Sequence, residues 1–425
     1  ILDSDMSGQN ISVSRTSAGI PVVVERIPGS ESVGYMVAVA TGSRDETKDV
    51  LGISHLLEHT VFRETTTRDS YQMAKEMEGA GGEMNAFTGR EMTAYHGITI
   101  RETADTAKDL VGDIVANPLL NEKGTELEKK IVLQELSMIK NEPDSYIRDL
   151  FETTLWRGHA LSQDEGLVAK MTSEDLRDYY EAKYKVPNLA VYAAGAADID
   201  DTVAWAEEVL DPIGDGNVNV RSAPPMPESE YRFVRNEAEH YHVAMGFPSY
   251  GSSHPDRMAV TMLSAVLGSG TSSRLLQSVR EQKALVYSIY TTVAQCSDAS
   301  SFTTYMSCTK SNVREAMETT SSTFSELLSN GLEKGELDRA KRLIKGANVR
   351  YMESTEHRLY RMAVNNMLNG AVESLEDRLA RIDAVTEDDV MRVAEDILRS
   401  DRLNTVVLGK KDRAMEKYDA TALSF

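Results

Sequence analysis

Residues 52–62 read GISHLLEHTVF and set two histidines, His55 and His59, one helical turn apart, with Glu58 directly before the second. At 3.6 residues per turn, positions i, i+3 and i+4 share one helix face, so these three side chains stand together. Ile53, Val61 and Phe62 add apolar surface. Two imidazoles one turn apart can bind one zinc ion, and a carboxylate beside the second can reach a water at that ion without ligating it. The pattern is HxxEH, the reverse of HExxH. The same residues also suit an amphipathic helix with solvated polar side chains. A third ligand decides between the two.

Residues 121–146, NEKGTELEKKIVLQELSMIKNEPDSY, read as a helix whose expected apolar face is Leu127, Ile131, Leu136 and Ile139. Glu128 and Glu135 lie two turns apart along one side. A glutamate on a charged helix is ordinarily solvated. Glu135 differs because it sits inside IVLQEL, where an unpaired carboxylate is costly to bury. A carboxylate would also complete a two-His, one-Glu zinc set and leave the fourth position for water.

These elements need a scaffold. A chain of 425 residues exceeds one ordinary core, and 41% hydrophobic with 27% charged residues describes a globular protein of two to four domains. Residues 211–232, DPIGDGNVNVRSAPPMPESEYR, carry Pro224, Pro225 and Pro227 and no helical period, and read as a linker over 212–232. It separates an N-terminal domain, 1–211, from a C-terminal one, 233–425. Each half runs from a strand to a helix, through a glycine-rich turn, to further strands and a long helical stretch. Each ends on a short strand, NLAVYAAG or LNTVVLGK. The expected fold is α+β: two homologous α/β-sandwich domains, each a sheet covered by helices, related by internal duplication.

The net charge of −21 argues against a nucleic-acid surface and favours cationic partners. No apolar run approaches the roughly 18 residues of a membrane span. The start, ILDSDMSGQNISVS, lacks the basic and apolar regions of a signal peptide, and it lacks an initiator Met, as a chain relieved of a leader would. Cys296 and Cys308 alone make neither a disulfide framework nor a Cys-based zinc site, so a reducing compartment, the cytoplasm, is expected.

GISHLLEHTVFRET and EKKIVLQEL resemble the M16 metallopeptidases, inverzincins that include pitrilysin, insulin-degrading enzyme and the mitochondrial processing peptidase. NAFTGREMTAYH is similar to the NA-[YF]-T segment of that family, and GTSSRLLQSVREQKALVYSIY to its second-domain motif. The resemblance covers nearly the whole chain and is closest to the single-unit, processing-peptidase-like subgroup. It implies that His55, His59 and Glu135 bind zinc, that Glu58 is the general base and that Glu128 supports the site from behind the ligands. It implies that Asn85 and Ala86 hold substrate backbone along a sheet edge, and that Arg280 and Tyr287 reach a substrate carbonyl from the second domain. It also implies a homodimer with active sites shared between chains. One stretch departs from the family pattern: ALSQDEGLVAKM, 160–171, lacks the basic residue expected there, which bears on substrate preference and not on the metal.

The chemistry agrees with that likeness. Zinc would activate water and polarise a carbonyl. Glu58 would move the proton, and Tyr287 would donate to an oxyanion. By themselves, Arg280 reads as a surface helix charge and Tyr287 as a core strand aromatic. His240 and His242 alternate on an expected strand with no third ligand nearby. His96, His159, His254 and His357 have no ligand spacing. The expected function is a zinc-dependent endopeptidase acting on short or unfolded peptides, leader peptides among them. The alternatives are a non-catalytic assembly subunit of the same fold and one subunit of a heterodimeric peptidase.

Overall fold

The structure, a computed structural model, describes residues 10–162 and 166–425. The first residues of the chain, and Gln163, Asp164 and Glu165 within the departing ALSQDEGLVAKM stretch, lie outside the described residues.

In chain order the first elements are β1 (Ile11–Arg15), β2 (Pro21–Arg26), β3 (Ser32–Val39), α1 (Ile53–Val61), α2 (Ser70–Gly79), β4 (Glu83–Thr88) and β5 (Thr93–Ile100). They are followed by α3 (Ala104–Ala116), α4 (Glu122–Asn141), α5 (Pro143–Leu155), α6 (Ser173–Lys183), β6 (Leu189–Gly195) and α7 (Ile199–Val209). After the linker come β7 (Glu230–Arg235), β8 (Tyr241–Tyr250), α8 (Arg257–Gly268), β9 (Val286–Gln295), β10 (Ala299–Cys308) and α9 (Val313–Asn330). The last are α10 (Glu336–Tyr351), α11 (Thr355–Asn369), α12 (Leu375–Ala384), α13 (Glu387–Ile397) and β11 (Asn404–Gly409). Between α8 and β9 the chain makes a π-helical turn at Leu276–Glu281.

The duplication is written in the sheets. The first runs β1-β2-β6-β3-β5-β4 and the second β7-β11-β8-β10-β9. Leaving β1 aside, the two have the same order. β2 pairs with β6 in parallel, as β7 does with β11, and every other pairing is antiparallel. Parallel neighbours cannot be joined by a tight turn. In each sheet the last strand therefore returns over a long connection to lie beside the first of the shared set.

The chain forms two compact units. Of the described residues, one comprises 10–135, 166–222 and 350–375, and the other 136–162, 223–349 and 376–425. In the first unit, alternate residues of the sheet face opposite layers. Tyr35 meets Trp205 of α7 with ring centroids 5.9 Å apart. Met36, Ala38, Ala94 and Tyr192 pack on Leu359, Met362 and Ala363 of α11. A Cβ at Gly34 would come within 2.6 Å of Leu359 Cδ1, so a side chain at this strand position would have to displace the Leu359 methyl. In the second unit, Val243, Met245 and Phe247 face the layer of α8, α9 and α13. Ala244, Val406 and Leu408 face Ile147, Leu150 and Phe151 of α5. Each sheet is thus covered on one side by a helix supplied from the other half of the sequence. Both sides buried explains why β3, β6 and β11 are almost continuously apolar.

Residues 214–229 have no regular structure. Their first part is fastened to the first unit. Asn219 Nδ2 donates to the Ala40 carbonyl at 2.6 Å, and Arg221 pairs with Asp45 at 2.7 Å and donates to the Glu91 carbonyl at 2.8 Å.

Candidate metal centre

Helix α1 opens after Gly52, whose φ of 94° lies in the left-handed region that glycine enters without strain. The buried Glu46 carboxylate then accepts from the Gly52 and Ser54 N–H groups at 2.7 and 2.9 Å, satisfying donors that the helix itself leaves free. Ile53, Leu56, Leu57 and Val61 are fully buried. Their burial fixes the roll of the helix and turns His55, Glu58 and His59, each partly exposed, toward a cleft. The cleft measures about 800 Å³, and its lining includes these three residues, Arg63 and Thr88, Asn85 and Ala86 of the edge strand β4, and Glu128, Ile131 and Glu135 of α4.

Helix α4 brings the third candidate ligand. Asn121 Oδ1 accepts from the Gly124 N–H at 2.7 Å at its start. Its buried face is Thr125, Glu128 and Val132. The apolar face expected from the sequence is not the packed one, since Leu127 and Ile131 are exposed. The helix is instead held by the polar Glu128, which accepts from His59 Nδ1 at 3.0 Å and from Arg63 Nε. Burial, the largest single influence, raises the Glu128 pKa, yet the hydrogen bonds and charges of His59 and Arg63 together hold it below its ordinary value.

One ligand atom from each of His55, His59 and Glu135 lies within 4.8 Å of the others, the one such grouping among the described residues. His59 Nε2 is 3.4 Å and His55 Nε2 3.8 Å from Glu135 Oε2. Two imidazole nitrogens and one carboxylate oxygen are the donor set of an open zinc site, with a fourth position left over. The His59 ring is oriented by a carboxylate on its far nitrogen, the usual support of a metal-binding imidazole. The residues present therefore fit zinc.

Glu58 stands beside this group without joining it. Burial raises its pKa, opposed by a hydrogen bond from Thr88 and by the two histidines. Thr88 Oγ1 donates to Glu58 Oε2 at 2.5 Å. Asn85 and Ala86 lie on β4, which ends the first sheet and so has one unpaired edge. The Ala86 N–H donates to Asn85 Oδ1 at 2.9 Å.

Residues 21–165 match the family profile described as insulinase, peptidase family M16, and residues 170–344 match the one described as peptidase M16 inactive domain. An uncharacterized zinc protease of Streptomyces coelicolor is 31% identical over 418 residues, covering 95% of this chain and 91% of that protein. The chain belongs to peptidase family M16. Other similar M16 relatives include an uncharacterized zinc protease of Mycobacterium tuberculosis, 31% identical with 92% of this chain and 91% of that protein covered. One from Bacillus subtilis is 29% identical, covering 90% and 94%. Among solved structures, the peptidase M16 inactive domain from Pseudomonas fluorescens superposes with a TM-score of 0.88 at 19% identity, over 95% of this chain and 98% of that one. A chain of Complex III2 from Candida albicans gives 0.85 at 18%, over 97% and 100%. At these identities the structural likeness speaks for the M16 fold alone.

The remaining expected residues of this M16 chain lie elsewhere. Arg280 is in the π-helical turn and Tyr287 on the edge strand β9, both in the second unit, while the cleft is lined from the first. Tyr287 is 57% exposed, not a core aromatic. The His240 ring lies tilted against Tyr287 with centroids 4.6 Å apart, and His242 Nδ1 lies 2.8 Å from the Tyr305 hydroxyl. Both cysteines are buried and neither is in a disulfide, and burial pushes the Cys308 thiol up to about 12. No helix among the described residues is long and apolar enough to cross a membrane. Sequence reasoning passed over Arg63 and Thr88. Arg63 sits four residues after His59, and Thr88 alternates with Ala86 onto the same strand face, so both spacings carried the signal.

Proposed function

We propose that this M16 chain is a zinc-dependent endopeptidase that hydrolyses peptide bonds in short or unfolded peptides, with leader peptides one candidate class. The observation that carries the reading is the convergence, in one cleft beside an open sheet edge, of a two-imidazole, one-carboxylate donor set and a separate, partly buried carboxylate, Glu58. In this reading His55, His59 and Glu135 hold the metal, and Glu128 fixes the His59 tautomer. Zinc, when bound, supplies Lewis acidity toward water and the scissile carbonyl. Glu58 takes the proton of the attacking water and delivers it to the departing amine, so the C–N bond breaks to give a carboxylate and an amine. Asn85 and Ala86 offer the β4 edge to an extended peptide by β-augmentation, which favours unfolded segments.

Arg280 would hold a substrate carbonyl, and Tyr287 would donate to the developing oxyanion. Two copies of the chain would form a homodimer, each site drawing the metal set from one copy and the Arg/Tyr pair from the other.

Elemental analysis of protein purified without chelator, with peptide-library cleavage mapped by mass spectrometry, tests the reading. One zinc per chain is expected. Glu58→Gln should keep zinc and lose hydrolysis, and Glu135→Ala should lose most zinc. Zinc-free protein that gains no activity on zinc addition would sink the peptidase reading.

A second reading, a non-catalytic assembly subunit, draws on the likeness to the Complex III2 chain. The presence of His55, Glu58, His59 and Glu135 in one cleft favours catalysis over it.

A further inference from the structure

Glu58 is one of several carboxylates around the cleft, and what distinguishes it is the company it keeps. Its Oε2 accepts from Thr88 Oγ1 at 2.5 Å, a short charge-assisted hydrogen bond. A carboxylate has two oxygens and free rotation about its last torsion. A donor fixed on one oxygen restrains that rotation and leaves the other, Oε1, as the carboxylate oxygen open to take a proton.

The donor is itself held. Thr88 is the last residue of the edge strand β4 and lies opposite Thr93 of β5. The turn beyond it is clamped from behind: the Ser43 N–H donates to the Gly89 carbonyl at 3.1 Å and the Arg44 N–H to the Arg90 carbonyl at 2.8 Å. Gly42 is pressed against this turn, since a Cβ there would come within 2.2 Å of the Gly89 carbonyl oxygen. Arg44 and Arg221 bind the same hairpin through Glu91, the first by an ion pair and the second also through the Glu91 carbonyl at 2.8 Å. The Thr88 hydroxyl is therefore delivered by a backbone fixed in place, not by a free loop.

Thr88 also shares its strand with Ala86. Side chains two apart on a strand lie on one face, so Thr88 and Ala86 point the same way. The strand edge that would take a peptide and the hydroxyl that aims the carboxylate are parts of one rigid element.

We infer that Thr88 is a positioning residue for the reaction. Its hydroxyl holds Glu58 with Oε1 turned to the attacking water and ties that aim to the strand along which the peptide docks. This rests on the peptidase reading above. It predicts an effect on turnover, not on metal or peptide binding, because the Thr88 hydroxyl bonds to Glu58, which lies outside the donor set.

The test compares Thr88→Val, nearly the same shape without a donor, Thr88→Ala as a second hydroxyl-free variant, and Thr88→Ser, which restores the hydroxyl. Zinc content is measured for each, with kcat and KM on one peptide found to be cleaved by the wild type. Peptide affinity is read in a Glu58→Gln background, where nothing is consumed. The expected result is a fall in kcat on the order of ten- to a hundred-fold for Val and Ala, the scale of a lost hydrogen bond to a charged group. KM, zinc content and peptide affinity should stay close to wild type, and Ser should recover most of kcat. Should Val fail to fold, Ala against Ser decides the same question. Equal kcat in the hydroxyl-free and hydroxyl-bearing variants would overturn the positioning role while leaving the peptidase reading intact. So would a loss that appears wholly as zinc or peptide affinity. A wild type with no zinc-dependent hydrolysis would overturn the peptidase reading and this role together.

Discussion

Glu128 accepts from His59 Nδ1 at 3.0 Å, and this settles which face of the imidazole is left for other work. Burial raises the Glu128 pKa, but His59 and Arg63 together hold it below its ordinary value, so near neutral pH it is an ionised acceptor and Nδ1 must carry the proton. In the neutral imidazole the lone pair is then on Nε2, which is the nitrogen 3.4 Å from Glu135. One residue on α4 thus orients a candidate ligand on α1, and Glu135, seven positions along the same helix, completes the group.

The first prediction follows from that arrangement. Glu128→Ala leaves both histidines and Glu135 in place, yet frees the His59 ring and strips Arg63 of its partner. Zinc affinity should fall roughly ten- to a hundred-fold, the usual cost of removing such a support. Competition against a chelator of known affinity measures it. Unchanged affinity in a folded variant would mean that Glu128 orients nothing.

Much of this site was legible because its first part is local. HxxEH on a helix brings its three side chains together whatever the fold, and the buried pattern of Ile53, Leu56, Leu57 and Val61 turns them outward. Helix α4 was legible only as a helix. Its apolar residues suggested a core face, but the face that packs carries Glu128, because a carboxylate with two donors can be buried at a cost that an unpaired one cannot. The order of elements in the two halves announced the duplication. The strands β1, β2 and β7 did not stand out, since β2 and β7 gain their place from parallel partners far along the chain. Nor could the sequence say that α11 covers the first sheet and α5 the second. Amphipathic periodicity records that a face is buried, not what buries it.

The second prediction tests that cover. Leu359 is fully buried against the first sheet, its Cδ1 closest to Gly34. Leu359→Ala should cost about 2–5 kcal/mol in urea unfolding, as a truncation that leaves a cavity. Met138 of α4 is 64% exposed, and Met138→Ala should stay within about 0.5 kcal/mol. Equal costs would show that α11 is not part of the first unit's core.

Acid should expose a third feature. Asp113 accepts from Thr65 at 2.7 Å and from Thr67, Arg68 and Asn117 at 3.0 Å each, pinning the loop after α1 to α3. Burial raises its pKa, but these donors together bring it below the ordinary 3.8. A carboxyl whose folded pKa is depressed adds stability that is present above its unfolded pKa and disappears as pH falls through the folded one. Wild type should therefore lose stability as pH drops below about 4, and Asp113→Asn should be less stable near pH 6 but flatter across that range. Unfolding curves from pH 6 to pH 3 would check it, and parallel pH dependences would remove Asp113 from the account.

The last prediction concerns the proposed sharing of sites. The cleft is lined from the first unit, while Tyr287 stands 57% exposed on the edge strand of the second sheet, as a side chain meant for another surface would. Consider two variants, Glu58→Gln and Tyr287→Phe. The first lacks the base in every site. The second lacks an oxyanion donor, a loss of roughly 2–4 kcal/mol and so near-silence in every site. If each site takes its base from one chain and its tyrosine from the other, a mixed dimer has one site with both defects and one with neither. Random pairing at equal amounts makes about half the dimers mixed, so activity should return to about a quarter of wild type. If each chain builds its own site, mixing restores nothing, because every site still carries one defect. Co-expression with two different affinity tags isolates the mixed dimers, whose activity should then approach half of wild type. Tandem-purified mixed dimers that stay as inactive as their parents would assign the whole site to a single chain.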